Sequence, residues 1–169
     1  DVQLHIHPNH KHYGLKRQGR EHPFTDRMAD LAPEAQRALL KEGCQRIAQW
    51  TGRPLAAFRA GNMAASEETL RQLEAVSIRI DSSYAFPYLG SQCGFADHEA
   101  YNGSRWYGGV LELALSGFYQ AGFPGLRRSK PLDVMGVCFG EIRNAIEMIC
   151  RAGADAVLIL HSFLSLIHI

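Results

Sequence analysis

Hydrophobic and polar positions alternate along the first residues of the chain. Residues 2–7 are rich in strand formers, and Pro8 and Asn9 interrupt the pattern, so a short strand is predicted here. From residue 33 to about residue 51, apolar side chains recur at helical spacing. This second pattern predicts a helix that Gly52 ends.

The rest of the chain continues the alternation of strands and helices. Four further strands are predicted at residues 55–59, 76–80, 110–115 and 156–160. Two further helices are predicted at residues 66–73 and 141–151, and loops at residues 9–31, 84–109 and 116–134. This order is typical of an α/β fold with a mostly parallel sheet, and no linker or internal repeat divides the chain.

The composition is that of an ordinary globular protein. The 169 residues are 46% hydrophobic and 21% charged, which suits one domain with a buried core. The formal net charge of +1 gives no reason to expect nucleic acid or an anionic membrane as a partner. No apolar run approaches the roughly 20 residues that a membrane-spanning helix needs, so no transmembrane segment is predicted.

The spacing of the four cysteines argues against a zinc–thiolate site. Cys44, Cys93, Cys138 and Cys150 are far apart and form no Cys-x-x-Cys pair. Three of them lie in apolar or helical settings and are predicted to be buried free thiols. Free thiols favour a reducing compartment such as the cytoplasm.

Polar residues follow several of the predicted strands. His5 and His7 end the first strand, Arg59 and Asp81 end the next two, and His161 follows the last. The carboxyl ends of parallel strands form the edge at which α/β proteins place their chemistry. The joint placement of these residues therefore predicts a hydrolase-like metal site on an α/β scaffold.

His5 and His7 are two residues apart on one strand, so both side chains point to the same face. Two imidazoles that converge at a strand end can share a cation such as zinc. His10 and His12 lie close behind them. A polar, histidine-rich surface loop is the alternative interpretation of this segment.

Arg59 and His161 each allow a functional and a structural interpretation. The guanidinium of Arg59 can orient a carboxylate or a substrate oxygen, or it can form a structural salt bridge. The imidazole of His161 can act as a general acid or base near neutral pH, or it can be a hydrogen-bonded structural histidine.

Two carboxylates complete the candidate set. Asp81, in the segment Asp81-Ser82-Ser83, can bind a sugar hydroxyl or brace the arginine, and the alternative is a turn or helix cap. Glu112 lies within an apolar strand, where a buried carboxylate would need a partner. A solvated strand face is equally compatible with Glu112, so no function is assigned to it.

Four segments carry a resemblance to a known family. Residues 2–8 resemble a metal-histidine motif in a His-x-His-Pro form, and residues 58–62 resemble a catalytic-arginine motif. Residues 80–83 are similar to an Asp-Ser-Ser segment, and residues 158–163 to a terminal Leu-x-His motif. In this order the segments resemble the polysaccharide deacetylase family, the NodB homology domain of carbohydrate esterase family four. The resemblance covers nearly all of residues 1–163.

The resemblance implies an incomplete, distorted (β/α) barrel that removes N-acetyl groups from a carbohydrate by metal-dependent hydrolysis. His5 and His7 would bind a divalent metal, with zinc expected, and Arg59 would orient the catalytic base. His161 would be the general acid, and Asp81 would bind substrate. The partner implied is therefore a carbohydrate that carries N-acetyl groups.

Two features depart from the family pattern. The Thr-Phe-Asp-Asp motif, which supplies the general base and an aspartate ligand, is absent and is expected upstream of Asp1. The commoner metal motif has its histidines four residues apart, whereas position 9 is Asn, so the second ligand is His7 or His10. His7 is favoured because strand geometry places it beside His5. Without the first motif, the chain is expected to bind zinc weakly and to lack deacetylase activity.

Residues 164–169 resemble a translated sequencing-library adapter. The catalytic domain is therefore assigned to residues 1–163, and the tail is excluded from functional inference. Within the predicted loop 84–109, Tyr101, Trp106 or Tyr107 is expected to stack on sugar rings.

Two other functions remain open at the level of the sequence. The first is a hydrolase that acts on a cyclic imide or ureide, because that chemistry uses the same scaffold. The second is a carbohydrate-binding relative without catalytic activity. Substrate profiling separates the first from a deacetylase, and the presence or absence of the acidic first motif separates the second.

Overall fold

The structure is a computed structural model that describes residues 2–21, 24–96, 99–120 and 128–160. The strands are β1 (Leu4–Ile6), β2 (Ala57–Ala60), β3 (Ile80–Asp81), β4 (Gly103–Tyr107), β5 (Val110–Ala114), β6 (Gly117–Gln120) and β7 (Arg128–Pro131). The helices are α1 (Asn9–Arg17), α2 (Pro33–Thr51), α3 (Glu67–Ala75) and α4 (Phe139–Arg151). Within these ranges no helix is both long enough and apolar enough to cross a membrane.

Five strands form one sheet in the order β1-β2-β3-β5-β4. The pairs β1–β2, β2–β3 and β3–β5 are parallel, and only β4–β5 is antiparallel. The predicted α/β fold with a mostly parallel sheet is confirmed. In the described ranges the sheet is open, with β1 and β4 at its edges, and β6 and β7 form a separate antiparallel pair.

Helix α2 begins and ends as its sequence predicts. Pro33 occupies the first turn, and Gly52 follows the helix in the left-handed region, with φ 69°. On the buried side, Gly43 lies against β1, because a Cβ there would stand 2.7 Å from Cδ1 of Leu4. This glycine lets α2 approach closely the strand that carries His5 and leads directly to His7.

One face of the sheet packs against α2 and α3. Leu4 of β1 and Phe58 of β2 belong to this core, together with Leu40 of α2 and Leu73 of α3. Because side chains alternate along a strand, the neighbours of these core residues point to the opposite face. Arg59, which follows Phe58, is accordingly only half-buried.

Several predicted loops contain regular structure. Helix α1 lies in the predicted loop 9–31. Because it buries none of its own residues, its sequence lacks the apolar stripe from which a helix is predicted. Strand β4 lies in the predicted loop 84–109 and pairs with β5 around Gly108 and Gly109. Strands β6 and β7 lie largely within the predicted loop 116–134.

The last predicted strand, residues 156–160, is reduced to a single bridge in the described part of the chain. Ile159 forms this bridge with Asp133 in parallel orientation. The backbone N–H of Ile159 donates to the carbonyl of Leu132, and the N–H of Val134 donates to the carbonyl of Ile159. The segment is also attached to the turn between β5 and β6, because the Ser116 N–H donates to the Val157 carbonyl and the Val157 N–H donates to Ser116 Oγ.

The four cysteines are free thiols, but they are less buried than predicted. Cys93 is buried and Cys44 is half-buried, whereas Cys138 and Cys150 are exposed. The prediction of three buried thiols is wrong because Cys138 precedes α4 and Cys150 lies near its end, on the solvent side. Burial raises the pKa of the Cys93 thiol, so this cysteine behaves as a small apolar residue.

Candidate metal and substrate site

A cleft of about 920 Å³ opens beside the carboxyl ends of β1, β2 and β3. His5, His7 and Arg59 all line this cleft, so the structure brings together three of the residues predicted from sequence. The polar residues that share the cleft with them are Gln3, Asn62, Ser82, Tyr88, Gln92 and Asp133.

The two histidines converge through their Nε2 atoms, which are 3.2 Å apart. The Nδ1 atom of His5 lies 2.8 Å from the carbonyl oxygen of Arg59. The Nδ1 atom of His7 lies 2.8 Å from Oδ2 of Asp26. Because a carbonyl and a carboxylate only accept hydrogen bonds, each Nδ1 is the donor and each neutral ring presents a lone pair at Nε2.

This spacing fits a shared cation. Zinc binds imidazole nitrogen at about 2.0–2.1 Å, and tetrahedral geometry then places two ligand nitrogens about 3.3–3.4 Å apart. Two facing lone pairs at 3.2 Å repel each other unless a proton or a metal ion lies between them. Across the described ranges, no cluster of three or more His, Cys, Asp or Glu side chains has the geometry to hold a metal.

Gly61 forms the floor under the His7 ring. A Cβ at position 61 would lie 2.5 Å from Nδ1 and 2.7 Å from Cγ and Cε1 of His7. The ring therefore rests directly on the backbone of the turn that follows β2, and any larger residue would displace it.

Gly61→Ala is expected to push the His7 ring away and to break its hydrogen bond to Asp26. Overpacking of this kind costs about 1–3 kcal/mol of unfolding free energy, measured by chemical denaturation, and imidazole NMR reports the ring. Gly14→Ala is the matched control, because a Cβ at that helical position has no neighbour within 4 Å. An unchanged His7 spectrum in Gly61→Ala would contradict this packing.

Arg59 is held by Ser82 rather than by an ion pair. Its Nε donates to the Ser82 carbonyl at 2.9 Å, and its Nη2 donates to Ser82 Oγ at 2.8 Å. Ser82 Oγ in turn donates to the carbonyl of Leu113 at 2.8 Å. Burial lowers the pKa of Arg59, and the charges of Asp81 and Glu112 partly oppose that shift. The two hydrogen bonds to Ser82 therefore fix the guanidinium. Its Nη1 makes no hydrogen bond to the described residues.

Asp81 does not line the cleft. It is fully buried, and its register partner on β2 is Phe58, so its side chain lies on the core face of the sheet. Its Oδ1 accepts from Ser83 Oγ at 2.8 Å, and its Oδ2 accepts from the Ser83 N–H at 3.2 Å. The turn interpretation of this aspartate matches these contacts, and Ser82 is the residue of the segment that reaches the cleft.

Asp81 and Glu112 form a buried carboxyl pair. They are register partners on β3 and β5, and both are fully buried. Glu112 Oε1 accepts from the Tyr84 N–H at 2.9 Å, and Oε2 has no other partner among the described residues. Burial, followed by the charge of Asp81, raises the pKa of Glu112 well above its usual range. Burial also raises the pKa of Asp81, while the hydrogen bond from Glu112 opposes this shift. Of the two carboxyls, Glu112 is therefore the one whose protonated form the fold favours more strongly.

Glu112→Gln is expected to remove a pH dependence of stability. Because the folded pKa of Glu112 is raised, its contribution is complete below the ordinary carboxyl pKa and is lost as pH rises toward the folded value. The loss approaches about 1.4 kcal/mol per pH unit within that window. Glutamine cannot ionise, so the variant should gain stability relative to the wild type as pH rises. Denaturant unfolding across pH measures this difference.

Glu34→Gln is the control, because Glu34 is exposed on the first turn of α2. It should leave the pH dependence of unfolding close to that of the wild type. Parallel wild-type and Glu112→Gln curves from acid to alkaline pH would show that Glu112 is ionised in the folded protein.

The aromatic residues predicted to stack on sugars lie elsewhere. Tyr101 stacks on Tyr84 with ring centroids 4.2 Å apart, and Tyr107 packs edge-on against Phe95. Trp106 is exposed on edge strand β4. None of the three predicted aromatics lines the cleft, because the alternation of β4 directs Tyr107 toward the core and Trp106 to solvent.

Tyr88 is the aromatic phenol that does line the cleft, and Asp133 lines it as well. Burial, and then the charge of Asp133, raises the pKa of Tyr88, so the phenol stays protonated and can donate a hydrogen bond. No periodic pattern marks either residue in the sequence, because both lie in predicted loops.

The sequence analysis also missed Asp26 and Asn62. Asp26 lies in the long polar loop before α2, and the length of that loop was the only signal of a functional role. Asn62 is the last residue of the segment 58–62 that carries the family resemblance, but the sequence analysis assigned no role to it. His161 lies outside the described residues, and its neighbour Leu160 lines the cleft.

The geometry of the cleft is the basis for assigning a function. The chain has no significant match among the sequence models of protein families, the curated proteins or the solved structures. The functional argument therefore depends on the placement of His5, His7 and Arg59 and on the resemblance of the motifs.

Proposed function

We propose that this chain carries the metal and substrate site of a polysaccharide deacetylase-like hydrolase. His5 and His7 bind a divalent cation, zinc by the chemistry of the ligands, and the substrate is a carbohydrate with N-acetyl groups. The observation that carries the proposal is the convergence of two Nε2 atoms, 3.2 Å apart, from rings whose Nδ1 atoms are both donors. That arrangement is the usual one for histidines that ligate zinc.

A zinc ion bound there would polarise the acetamide carbonyl and lower the pKa of a water molecule. Arg59 contributes a fixed guanidinium in the same cleft, and its Nη1 edge is suited to a carboxylate or a substrate oxygen. Ser82 prevents this side chain from swinging away. In the proposed reaction His161 gives a proton to the departing amine, a role taken from the motif resemblance.

The general base belongs to a motif that residues 1–163 do not contain. The proposal for this chain is therefore a site that binds metal and substrate, and binding is the property to measure. Asp81 supports the site from the core face of the sheet, because its charge acts on Arg59. The Ser83 hydroxyl donates to Asp81 and accepts from the Ala60 N–H at 2.9 Å. We assign Asp81 to this bracing role rather than to substrate contact.

The sheet is compatible with part of an incomplete, distorted (β/α) barrel. Its parallel strands carry α2 and α3 on one face. The other face, with Ala57, Arg59 and Ser82, borders the cleft, and Ile159 and Leu160 lie across it. A barrel of this class has the same arrangement, with helices outside and a site at the carboxyl ends of the strands. We propose the barrel on these grounds.

Zinc titration tests the metal site directly. The wild-type protein is expected to bind one zinc ion weakly, followed by isothermal calorimetry and by the visible spectrum of the cobalt form. His5→Ala and His7→Ala should each weaken binding by about tenfold or more, because each removes one of two converging ligands.

His12→Gln and His10→Gln are the controls for that titration. His12→Gln should leave the affinity unchanged, because the His12 ring packs against Tyr13 and Phe24 instead of lining the cleft. Affinity that falls in His10→Gln but not in His7→Ala would make His10 the second ligand. Binding that survives both His5→Ala and His7→Ala would remove the proposal.

Arg59→Lys tests the substrate side of the cleft. Lysine keeps the positive charge but cannot reproduce the forked contacts to Ser82, so the charge is no longer held in place. Binding of an N-acetylated chito-oligosaccharide to the zinc-loaded protein, followed by NMR titration, should weaken by about tenfold. Zinc affinity should change little. Equal sugar affinity in the two proteins would show that Arg59 does not contact the ligand.

A further inference from the structure

One carboxylate joins three separate segments of the chain beside the histidine pair. Asp26 Oδ2 accepts from His7 Nδ1 at 2.8 Å and from Asn62 Nδ2 at 2.6 Å. His7 follows β1, Asp26 belongs to the loop before α2, and Asn62 lies in the turn after β2. The loop is thereby fixed to the sheet at the point where the metal is proposed to bind.

Asp26 is not a member of an ordinary surface salt-bridge network. The neighbouring cation, Arg27, pairs with Asp30 at 3.0 Å, and Thr25 also donates to Asp30. The ionic partner of Asp26 among the described residues is His7. Its other oxygen, Oδ1, is buried and has no hydrogen-bond partner in the described ranges. The carboxylate is thus partly shielded from water. Its hydrogen bonds from His7 and Asn62 are both accepted by Oδ2.

The turn after β2, which places Asn62 beside Asp26, has a strained backbone. Asn62 and the next residue, Met63, both lie in the left-handed region, with φ 56° and 55°. Asparagine tolerates that region, whereas an unbranched apolar residue such as methionine is uncommon there. The Ala64 N–H closes the turn on the Gly61 carbonyl at 3.1 Å. Strain of this kind persists where the surrounding structure enforces it, and it clusters at functional sites.

The same turn positions both groups that hold His7. Gly61 provides the flat surface under the ring, and Asn62 directs its amide at Asp26. His5 differs, because its Nδ1 is held by a backbone carbonyl rather than by a side chain. The orientation of His7 is therefore the part of the histidine pair that depends on side chains distant in sequence.

We propose that Asp26 and Asn62 are positioning residues for the metal site. Asp26 holds the imidazole of His7 in its Nδ1–H tautomer and so directs the Nε2 lone pair toward the cation, while Asn62 fixes Asp26 in place. This inference rests on the proposed function for its metal, but its effect on the His7 tautomer exists without one. Carboxylates that hold a zinc-binding histidine in this way commonly affect metal affinity by about 10–100-fold.

The first test uses metal-free protein, roughly two pH units above the ordinary pKa of histidine. Long-range ¹H–¹⁵N NMR of the wild type is expected to show His7 as the Nδ1–H tautomer. Asp26→Ala should shift His7 toward the Nε2–H tautomer, and Asp26→Asn, which keeps an acceptor oxygen, should shift it less. Asp30→Ala, in the same loop, should leave the tautomer unchanged. An unaltered tautomer in Asp26→Ala overturns the inference.

The second test is a double-mutant cycle on zinc affinity. Asp26→Ala should weaken zinc binding by about 10–100-fold in the wild type and should have no further effect in His7→Ala. Asn62→Ala should weaken binding in the same direction, and also only when His7 is present. Equal losses with and without His7 would show that Asp26 acts through general stability, which overturns the positioning role. Should Asp26→Ala not fold, the isosteric Asp26→Asn replaces it in both tests.

The two tests separate this inference from the proposal beneath it. Failure of the wild type to bind zinc removes the metal site, and the tautomer measurement still decides whether Asp26 orients His7. A wild type that binds zinc through His5 and His7, with no dependence on Asp26, keeps the proposed function and removes the positioning role.

Discussion

The site depends on the parallel register between β1 and β2. In that register His5 pairs with Arg59, and the Arg59 carbonyl accepts the hydrogen bond that orients the His5 ring. The imidazole pair and the guanidinium therefore share one face because two strand backbones are aligned. A slip of one residue would exchange the faces of β1 and turn His5 away from the cleft face. Gly43 of α2, which packs closely on Leu4, supports the observed register from the other side.

The two faces of the sheet hold ionisable groups of opposite sign. On the cleft face, the charge of Arg59 is held by a backbone carbonyl and a hydroxyl from Ser82, so the guanidinium can still attract an anion. On the core face, burial raises the pKa of both Asp81 and Glu112, so the fold disfavours two adjacent negative charges there. These carboxyls act electrostatically on Arg59, whose side chain lies on the opposite face of the sheet. Two ionised carboxylates would raise the cost of burial, and none would leave Arg59 uncompensated.

The sequence predicts elements better than it predicts which face meets the cleft. Hydrophobic periodicity, together with Pro and Gly at the ends of elements, was sufficient to predict the parallel α/β class and helix α2. The His-x-His spacing was sufficient to predict that His5 and His7 lie side by side. Asp81 was different, because β3 is only two residues long and its alternation does not reveal which residue points inward. Asp26 reaches His7 across 19 positions, a contact that no local pattern encodes.

Helix α1 makes the free energy of local opening differ between the two histidines of the site. This helix buries none of its own residues, and an ion pair between Lys11 and Glu42 at 2.5 Å connects it to α2. Segments with few buried apolar contacts open locally at a free energy well below that of global unfolding. His7 lies at the boundary between this labile segment and the firmly packed sheet that holds His5. Amide exchange at His7 is therefore expected to follow the local opening of α1 more closely than amide exchange at His5 does.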